Sequence, residues 1–363
     1  MNSQIIEMLK RVSEYYDLPG TLESFRECKN GHINTTYIVD FASGGTVKEY
    51  IFQKINSYVF KEPEKVMSNI KEIGRHLQSR KSDTDCDIIT FLDNREGKNH
   101  TLLDGDYWRV CPYVPNSVTY ETVENSKVLA SAGYAFGRFQ ALLSDFPMEK
   151  LHETIPDFHN TRKRLEDFFE VVDRDPVGRA AEVQEEIAFF EKHRSIATRL
   201  VELQEKGELP LRVTHNDTKY NNILMHRESC EPLCVIDLDT VMPGLAMYDF
   251  GDAIRFAANT APEDETDLSK VGLNMDHYRE FTRGFMKAAG DFLTEKEKEN
   301  MALGAMVITI ELASRFLADH LDGDKYFRIH RENHNLDRAR CQIRLAQDML
   351  DKYEEMCKIV REI

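Results

Sequence analysis

The chain has 363 residues, 41% hydrophobic and 30% charged, enough for a folded enzyme of two lobes around a cleft. Its formal net charge of −16, with no block of Lys and Arg to relieve it, opposes binding to nucleic acid or anionic lipid, and no obligate protein partner is evident. Seven cysteines scattered without a CxxC pair read as reduced thiols of a cytoplasmic protein, not as a disulfide frame or a zinc site.

Residues 1–20 carry Ile5, Met8, Leu9, Val12 and Tyr16 at helical spacing with Glu7 and Glu14 among them, an amphipathic helix and not a signal peptide. Strands are predicted next at 21–28, 33–41 and 46–55, separated by the turns Lys29-Asn30-Gly31-His32 and Ser43-Gly44-Gly45. A helix over 63–78 follows, with Pro63 in its first turn and Val66, Met67, Ile70, Ile73 and Leu77 in one apolar stripe. Shorter strands are expected at 88–92, 100–103 and 107–110, the first two flanking the turn Asn94-Arg95-Glu96-Gly97-Lys98. Two prolines in Cys111-Pro112-Tyr113-Val114-Pro115-Asn116 favour an extended connector. Beyond it the pattern is helical at 126–143, 162–172 and 180–204, with four more helices after Tyr248, and β-like pieces at 211–214, 222–225 and 234–237 interrupt it. The most apolar run, 301–312, is too short to span a bilayer and is broken by Glu311. The expected fold is α+β and two-lobed like a protein kinase: a small antiparallel β lobe at 1–115 ending in a hinge, and a larger, mainly helical lobe at 116–363.

His215-Asn216-Asp217-Thr218-Lys219-Tyr220-Asn221-Asn222 has the spacing H-x-D-x-x-x-x-N. Transfer of a phosphoryl group needs a carboxylate to orient the attacking hydroxyl and accept its proton, and an amide oxygen to ligate Mg²⁺; Asp217 and Asn222 fill those roles, with His215 bracing the loop. A polar turn capped by Asp217 would explain the loop alone, but Val235-Ile236-Asp237 follows, two apolar strand residues ending in a carboxylate, where a kinase sets its second metal-binding acid. Asp239 shares the side of an extended chain with Asp237 and either joins the metal or hydrogen-bonds the loop. Lys219 is placed to stabilise the transferring phosphoryl group, unless it is a surface lysine of a polar turn.

With these motifs in order, the chain resembles the aminoglycoside phosphotransferase and choline kinase superfamily over nearly its whole length. His215-Asn216-Asp217-Thr218-Lys219 together with Ile236-Asp237-Leu238-Asp239-Thr240 is most similar to the N-acetylhexosamine 1-kinases. The resemblance implies ATP as co-substrate, Mg²⁺ as cofactor, and phosphorylation of the anomeric hydroxyl of N-acetylglucosamine or N-acetylgalactosamine; choline, homoserine, a thioribose or an aminoglycoside are the other acceptors in view. It also implies that Arg315 and Tyr326 contact the sugar, although Glu311, Arg315 and Asp319 at i, i+4 spacing equally read as a surface salt-bridge ladder. One of Asp249 and Asp252 is expected to buttress the catalytic loop.

On the nucleotide side, backbone amides at Gly31 and His32 in the first hairpin are candidates to cover the phosphates. Lys54, closing the third strand, is the candidate cation for the α/β-phosphates, with Lys48 as its rival and Glu64 or Glu72 as its partner. Adenine is expected against the backbone of Tyr113 and Val114. A binding module that has lost its chemistry is disfavoured by the intact Asp217, Asn222 and Asp237, and a metal hydrolase by the lack of an H-E-x-x-H spacing.

Overall fold

The amphipathic start of the chain forms α1 (Asn2–Ser13), which buries Leu9 and Val12, with Tyr16 beyond its end, against the first sheet. The computed structural model describes residues 2–28, 33–80, 87–120 and 125–363, so Gly31 and His32 lie outside the described residues. The first sheet comprises β1 (Thr21–Cys28), β2 (Thr35–Ser43) and β3 (Thr46–Lys54) and then, after α2 (Pro63–Gln78) and the short β4 (Asp87–Ile88), β5 (Thr101–Leu103) and β6 (Asp106–Pro112). Its order is β1-β2-β3-β6-β5, antiparallel throughout. Alternation of side chains separates two faces. Tyr37, Val39, Phe41, Tyr50, Phe52, Trp108 and Val110 form a core with α1, whereas Ile51 and Cys111 pack on the other side with α2.

Helix α2 has the bounds its apolar stripe predicts, and Val66, Met67, Ile70, Ile73 and Leu77 are all buried. The expected hairpin around Asn94 is not formed by two strands. Asn94 Oδ1 does close the turn, accepting from the N–H groups of Glu96 and Lys98. Residues 89–100, however, form no strand, and β4 pairs in parallel with a strand of the other lobe.

That second lobe contains β7 (Ser117–Val118), α3 (Ser126–Leu142), α4 (Thr161–Arg174), α5 (Gln184–Ala197), α6 (Arg199–Glu205), β8 (Arg212–Thr214), β9 (Ile223–His226), β10 (Pro232–Val235) and β11 (Met242–Gly244). It is completed by α7 (Ala246–Ala257), α8 (Met275–Ala289), α9 (Glu295–Glu299), α10 (Met301–Leu321), α11 (His334–Asp351) and α12 (Tyr353–Glu362). The single helix expected at 180–204 is interrupted at Thr198, and breaks at Asn300 and Lys352 divide two of the four expected late helices. Two small sheets, β4-β10-β9-β7 and β11-β8, cradle the loop between β8 and β9.

Helix α10 runs well past the apolar stretch legible in the sequence. Its 21 residues are long and apolar enough to cross a membrane by length and composition, yet they are mostly buried, against α4, α7 and α11. Its crossing with α7 is close because glycine meets glycine: a Cβ on Gly251 would stand 2.4 Å from Gly304 O. Helix α7 carries Asp249 and Asp252, so this contact seats the helix that holds the loop between β8 and β9.

Candidate active site

The loop after β8 is held from beneath by side chains. Asn216 takes a left-handed backbone conformation (φ 65°), which a residue other than glycine keeps only where its surroundings dictate it. Asp249 supplies that constraint: Oδ2 accepts from the His215 N–H at 2.9 Å and Oδ1 from the Asn216 N–H at 2.7 Å, while Gln140 Nε2 donates to Oδ2. Asp252 Oδ2 accepts from the Thr218 N–H at 2.9 Å, so both acids of α7 brace the loop where one was expected. The His215 ring is fully buried between Phe136 and Phe139 and reaches Ile236 O with Nε2 at 2.9 Å, joining the loop to the end of β10. Asp249→Ala is expected to destabilise the protein by about 1–3 kcal/mol for each buried donor left unpaired. Urea unfolding checks this, and an unchanged midpoint would refute it.

Above this base the functional groups converge. Lys219 Nζ stands 3.2 Å from Asp217 Oδ1, and Asn222 Nδ2 donates to Asp217 O at 2.8 Å and to Oδ2 at 3.0 Å. Burial works against ionisation of Asp217, but Lys219, His215 and the hydrogen bonds from Lys219 and Asn222 hold its pKa below the ordinary value. Asp217 in turn raises the pKa of Lys219, with Glu263 and Asp252 adding to it, so the pair is ionic.

Asp237 also sits in a left-handed conformation (φ 60°), and its carboxylate meets no hydrogen-bond donor among the described residues. Burial, then Asp239 and Asp217, push its pKa up to about 7, against Arg109 and Lys219. With Nδ2 turned to Asp217, Asn222 Oδ1 remains as a second oxygen. This donor set of hard oxygens fits Mg²⁺, which keeps most of its positions for phosphate and water. Among the described residues no group of three or more His, Cys, Asp or Glu offers an alternative metal cage.

Asp239 is placed differently from its neighbour. It is 3% exposed and forms a bidentate ion pair with Arg109, whose Nη2 lies 2.9 Å from Oδ2, and Asn34 Nδ2 donates to the same oxygen at 2.7 Å. A turn begins at Asp237, so the chain is not extended there and the alternation expected of an extended chain does not apply. Arg109 is a member of this cluster that the loop motifs do not point to. A lone cation in the apolar run Tyr107-Trp108-Arg109-Val110-Cys111 was the signal that marks it.

Lys54 does not face the catalytic loop. It shares a strand face with Phe52 and Tyr50, and its Nζ lies 3.4 Å from Asp106; Lys48 has the same parity. The residues of opposite parity are Gln53 and, on β6, Arg109, which are hydrogen-bonded at 2.8 Å. Glu72 of α2 pairs with Arg75, and Glu64 is exposed, so α2 offers no acid to a strand lysine. At the hinge, the Tyr113 N–H extends the β3–β6 ladder to Glu49 O at 3.1 Å, and Val114 O accepts from Ser117. The Val114 N–H donates to none of the described residues.

On the far side of Asp217, the surface ladder that the i, i+4 spacing along α10 equally allows is not formed, and its three residues have separate roles. Glu311 accepts from Thr161 Oγ1 at 2.7 Å and lies 2.8 Å from His159 Nδ1, while His159 Nε2 approaches Asn216 O at 3.3 Å. Burial resists its charge, but His159, Arg315 and Thr161 keep the Glu311 pKa low. Asp319 accepts from the N–H groups of Lys325, Tyr326 and Phe327, fixing the segment after α10. Arg315 pairs with neither acid. Its guanidinium stands over the rings of Phe158, Tyr326 and Phe327 at 5.5, 6.0 and 5.6 Å. Arg164 donates to Phe158 O through Nε and Nη2, and its pKa is lowered by burial and by Arg315. Tyr326, 61% exposed, forms the lip of this aromatic cluster.

Residues 24–283 match the phosphotransferase enzyme family. The fold is similar to that of a microcompartment-associated aminopropanol kinase, with a TM-score of 0.64 and 14% identity over 97% of this chain and 98% of that one. It is also similar to an aminoglycoside phosphotransferase from Alicyclobacillus acidocaldarius (TM-score 0.63, 13% identity, 97% and 96% covered). A spectinomycin phosphotransferase in complex with ADP and spectinomycin gives a TM-score of 0.53 at 15% identity, with 99% and 93% covered. At these identities the likeness is one of fold, the kinase-like pairing of an antiparallel β lobe with a helical lobe.

Proposed function

Because the chain belongs to the phosphotransferase enzyme family, we propose that it transfers the γ-phosphoryl group of ATP to the anomeric hydroxyl of an N-acetylhexosamine, yielding ADP and the sugar 1-phosphate. The chain is a small-molecule phosphotransferase with an alcohol group as acceptor; the sugar and the oxygen that reacts go beyond the family. The reading is supported above all by Arg315, a guanidinium with no carboxylate partner among the described residues, backed by three rings beside the catalytic loop. Such a group suits an acetamide carbonyl, while aromatic faces suit the C–H faces of a sugar ring. Arg315 and Arg164, neither paired with a carboxylate among the described residues, repel the ammonium groups of an amino alcohol or an aminoglycoside at short range. The choice of N-acetylglucosamine or N-acetylgalactosamine, and of the anomeric oxygen, comes from the resemblance of the two loop motifs.

In this reading Asp217 orients the sugar hydroxyl and takes its proton as the oxygen–phosphorus bond forms and the bond to the β-phosphate oxygen breaks. Asp237 and Asn222 Oδ1 would hold Mg²⁺, which draws charge from the phosphate oxygens. Lys219 faces the charge that spreads over the equatorial oxygens, and the Val114 N–H hydrogen-bonds adenine.

An ADP-release screen over N-acetylhexosamines, hexoses, amino alcohols and aminoglycosides, with the product read by phosphorus NMR, tests the proposal. N-acetylglucosamine is expected to exceed glucose in kcat/KM, since an unpaired polar group costs roughly 1–3 kcal/mol, about fivefold to 150-fold. Arg315→Ala should narrow that gap. A 6-phosphate product, or equal rates with choline or kanamycin, would replace the sugar reading with another alcohol acceptor.

A further inference from the structure

The nucleotide lobe sends one cation into the base of the metal-binding loop, and it is not the lysine of β3. Arg109 is 1% exposed and gripped on every side. Its Nε donates to Gln53 Oε1 at 2.8 Å, Nη1 lies 3.6 Å from Met67 Sδ, and the guanidinium carbon stands 4.5 Å from the centre of the Phe91 ring. Both terminal nitrogens then meet the two oxygens of Asp239. Asp239 also accepts from Asn34 Nδ2, whose own Oδ1 accepts from the Asn56 N–H at 2.9 Å. Groups from β3, β6, α2 and the approach to β2 therefore converge on one carboxylate of the other lobe, two residues from Asp237. Helix α2 adds a parallel tie, with Asn69 Nδ2 donating to Val241 O at 3.2 Å and to His152 O at 2.8 Å.

This arrangement has two physical consequences. The left-handed turn at Asp237 needs an external constraint, and the ion pair anchored at Asp239 provides one. The bidentate pair with Arg109 neutralises Asp239, which leaves Asp237, with no donor among the described residues, to face a metal.

We propose that Arg109 is a positioning residue for the metal: acting through Asp239, it sets the orientation of the Asp237 carboxylate and couples the nucleotide lobe to it. The proposal rests on Asp237 being a Mg²⁺ ligand. On β3 the side chain that meets Arg109 is the neutral Gln53, so the cation that ties this lobe to the loop comes from β6.

Removing one partner of a buried ion pair leaves an uncompensated charge and endangers folding, so the informative variant removes both charges at once. The double variant Arg109→Gln/Asp239→Asn keeps polar groups of similar length in place. It is expected to fold, to need about 10–100-fold more Mg²⁺ for half-maximal activity, as loss of an outer partner of a metal ligand does, and to keep its KM for the acceptor. The gain in Tm on adding Mg²⁺ with a non-hydrolysable ATP analogue should shrink at limiting Mg²⁺ and recover at high Mg²⁺, a readout independent of turnover. Arg109→Lys, which cannot serve both oxygens of Asp239, should fall between this variant and the wild type. Asp237→Asn, measured alongside, separates the two claims. If it keeps the wild-type Mg²⁺ response, Asp237 is not the ligand and the role of Arg109 falls with it. If it loses that response while the double variant keeps it, or if the double variant weakens acceptor binding as much as Mg²⁺ binding, the role of Arg109 alone is overturned.

Discussion

Asp217→Asn is expected to lower kcat by about 10²–10⁴-fold, the scale of a lost general base, while nucleotide binding stays close to that of the wild type. Asn keeps the shape and one oxygen to accept from Asn222 Nδ2, so the loop loses little of its scaffold. It loses the charge that pairs with Lys219 at 3.2 Å and the capacity to take the hydroxyl proton. Burial alone would favour a protonated carboxyl at this position, yet Lys219, His215 and two hydrogen bonds from side chains keep Asp217 ionised. Its own titration should therefore lie below the ordinary carboxylate range and leave no limb in a pH–rate profile near neutrality. Steady-state kinetics together with a nucleotide-induced shift in Tm measure both halves of the expectation. Turnover within tenfold of the wild type would mean that another group orients the acceptor, and the assignment of the loop would be lost.

Local patterns carried the fold where one element could be read by itself. Helix α2 has the bounds of its apolar stripe, and the three β-like pieces around the catalytic loop became β8, β9 and β10 because turn residues delimit them. Contacts between distant segments were not legible. Ile88 looks like the start of a hairpin strand, but it pairs with Val235 of β10, whose sequence lies beyond the whole of α3 to α6. The same contrast runs through the site. H-x-D-x-x-x-x-N identifies a loop because its chemistry is local, whereas Glu311, Arg315 and Asp319 have ladder spacing and three unrelated tertiary roles. Lys54 illustrates a reading that parity corrects: Phe52 is an evident core residue, so the lysine two positions on shares its face and Gln53 does not. Arg109 could be suspected from its apolar surroundings, but the identity of its partner could not, since nothing in the strand points to Asp239.

Asp237→Asn should abolish turnover at ordinary Mg²⁺ concentrations while preserving the fold. Asparagine is the appropriate replacement because Asp237 has a φ of 60°, a conformation that Asn tolerates and Ala resists. The carboxylate accepts from no described protein donor, so its loss strands no buried partner; what disappears is the anionic oxygen offered to a hard cation. The wild-type enzyme should show the same dependence through pH. With the metal-free carboxyl at about 7, a proton competes with Mg²⁺ for the same oxygens, and the apparent Mg²⁺ affinity should fall about tenfold for each unit of pH below that point. Linkage gives the sign for stability. A carboxyl that binds its proton more tightly in the folded than in the unfolded chain stabilises the metal-free protein fully below the unfolded value of 3.8, and that contribution is lost as pH rises through about 7. Mg²⁺ with nucleotide should therefore raise Tm more at pH 8 than at pH 6, and the acidic limb of the rate profile should move to lower pH as Mg²⁺ is increased. In Asp237→Asn the Mg²⁺-dependent part of both effects should vanish. An acidic limb that ignores the Mg²⁺ concentration would assign the titration to another group, and a normal Mg²⁺ response in the variant would transfer the metal to a different carboxylate, with Asp239 the one to examine.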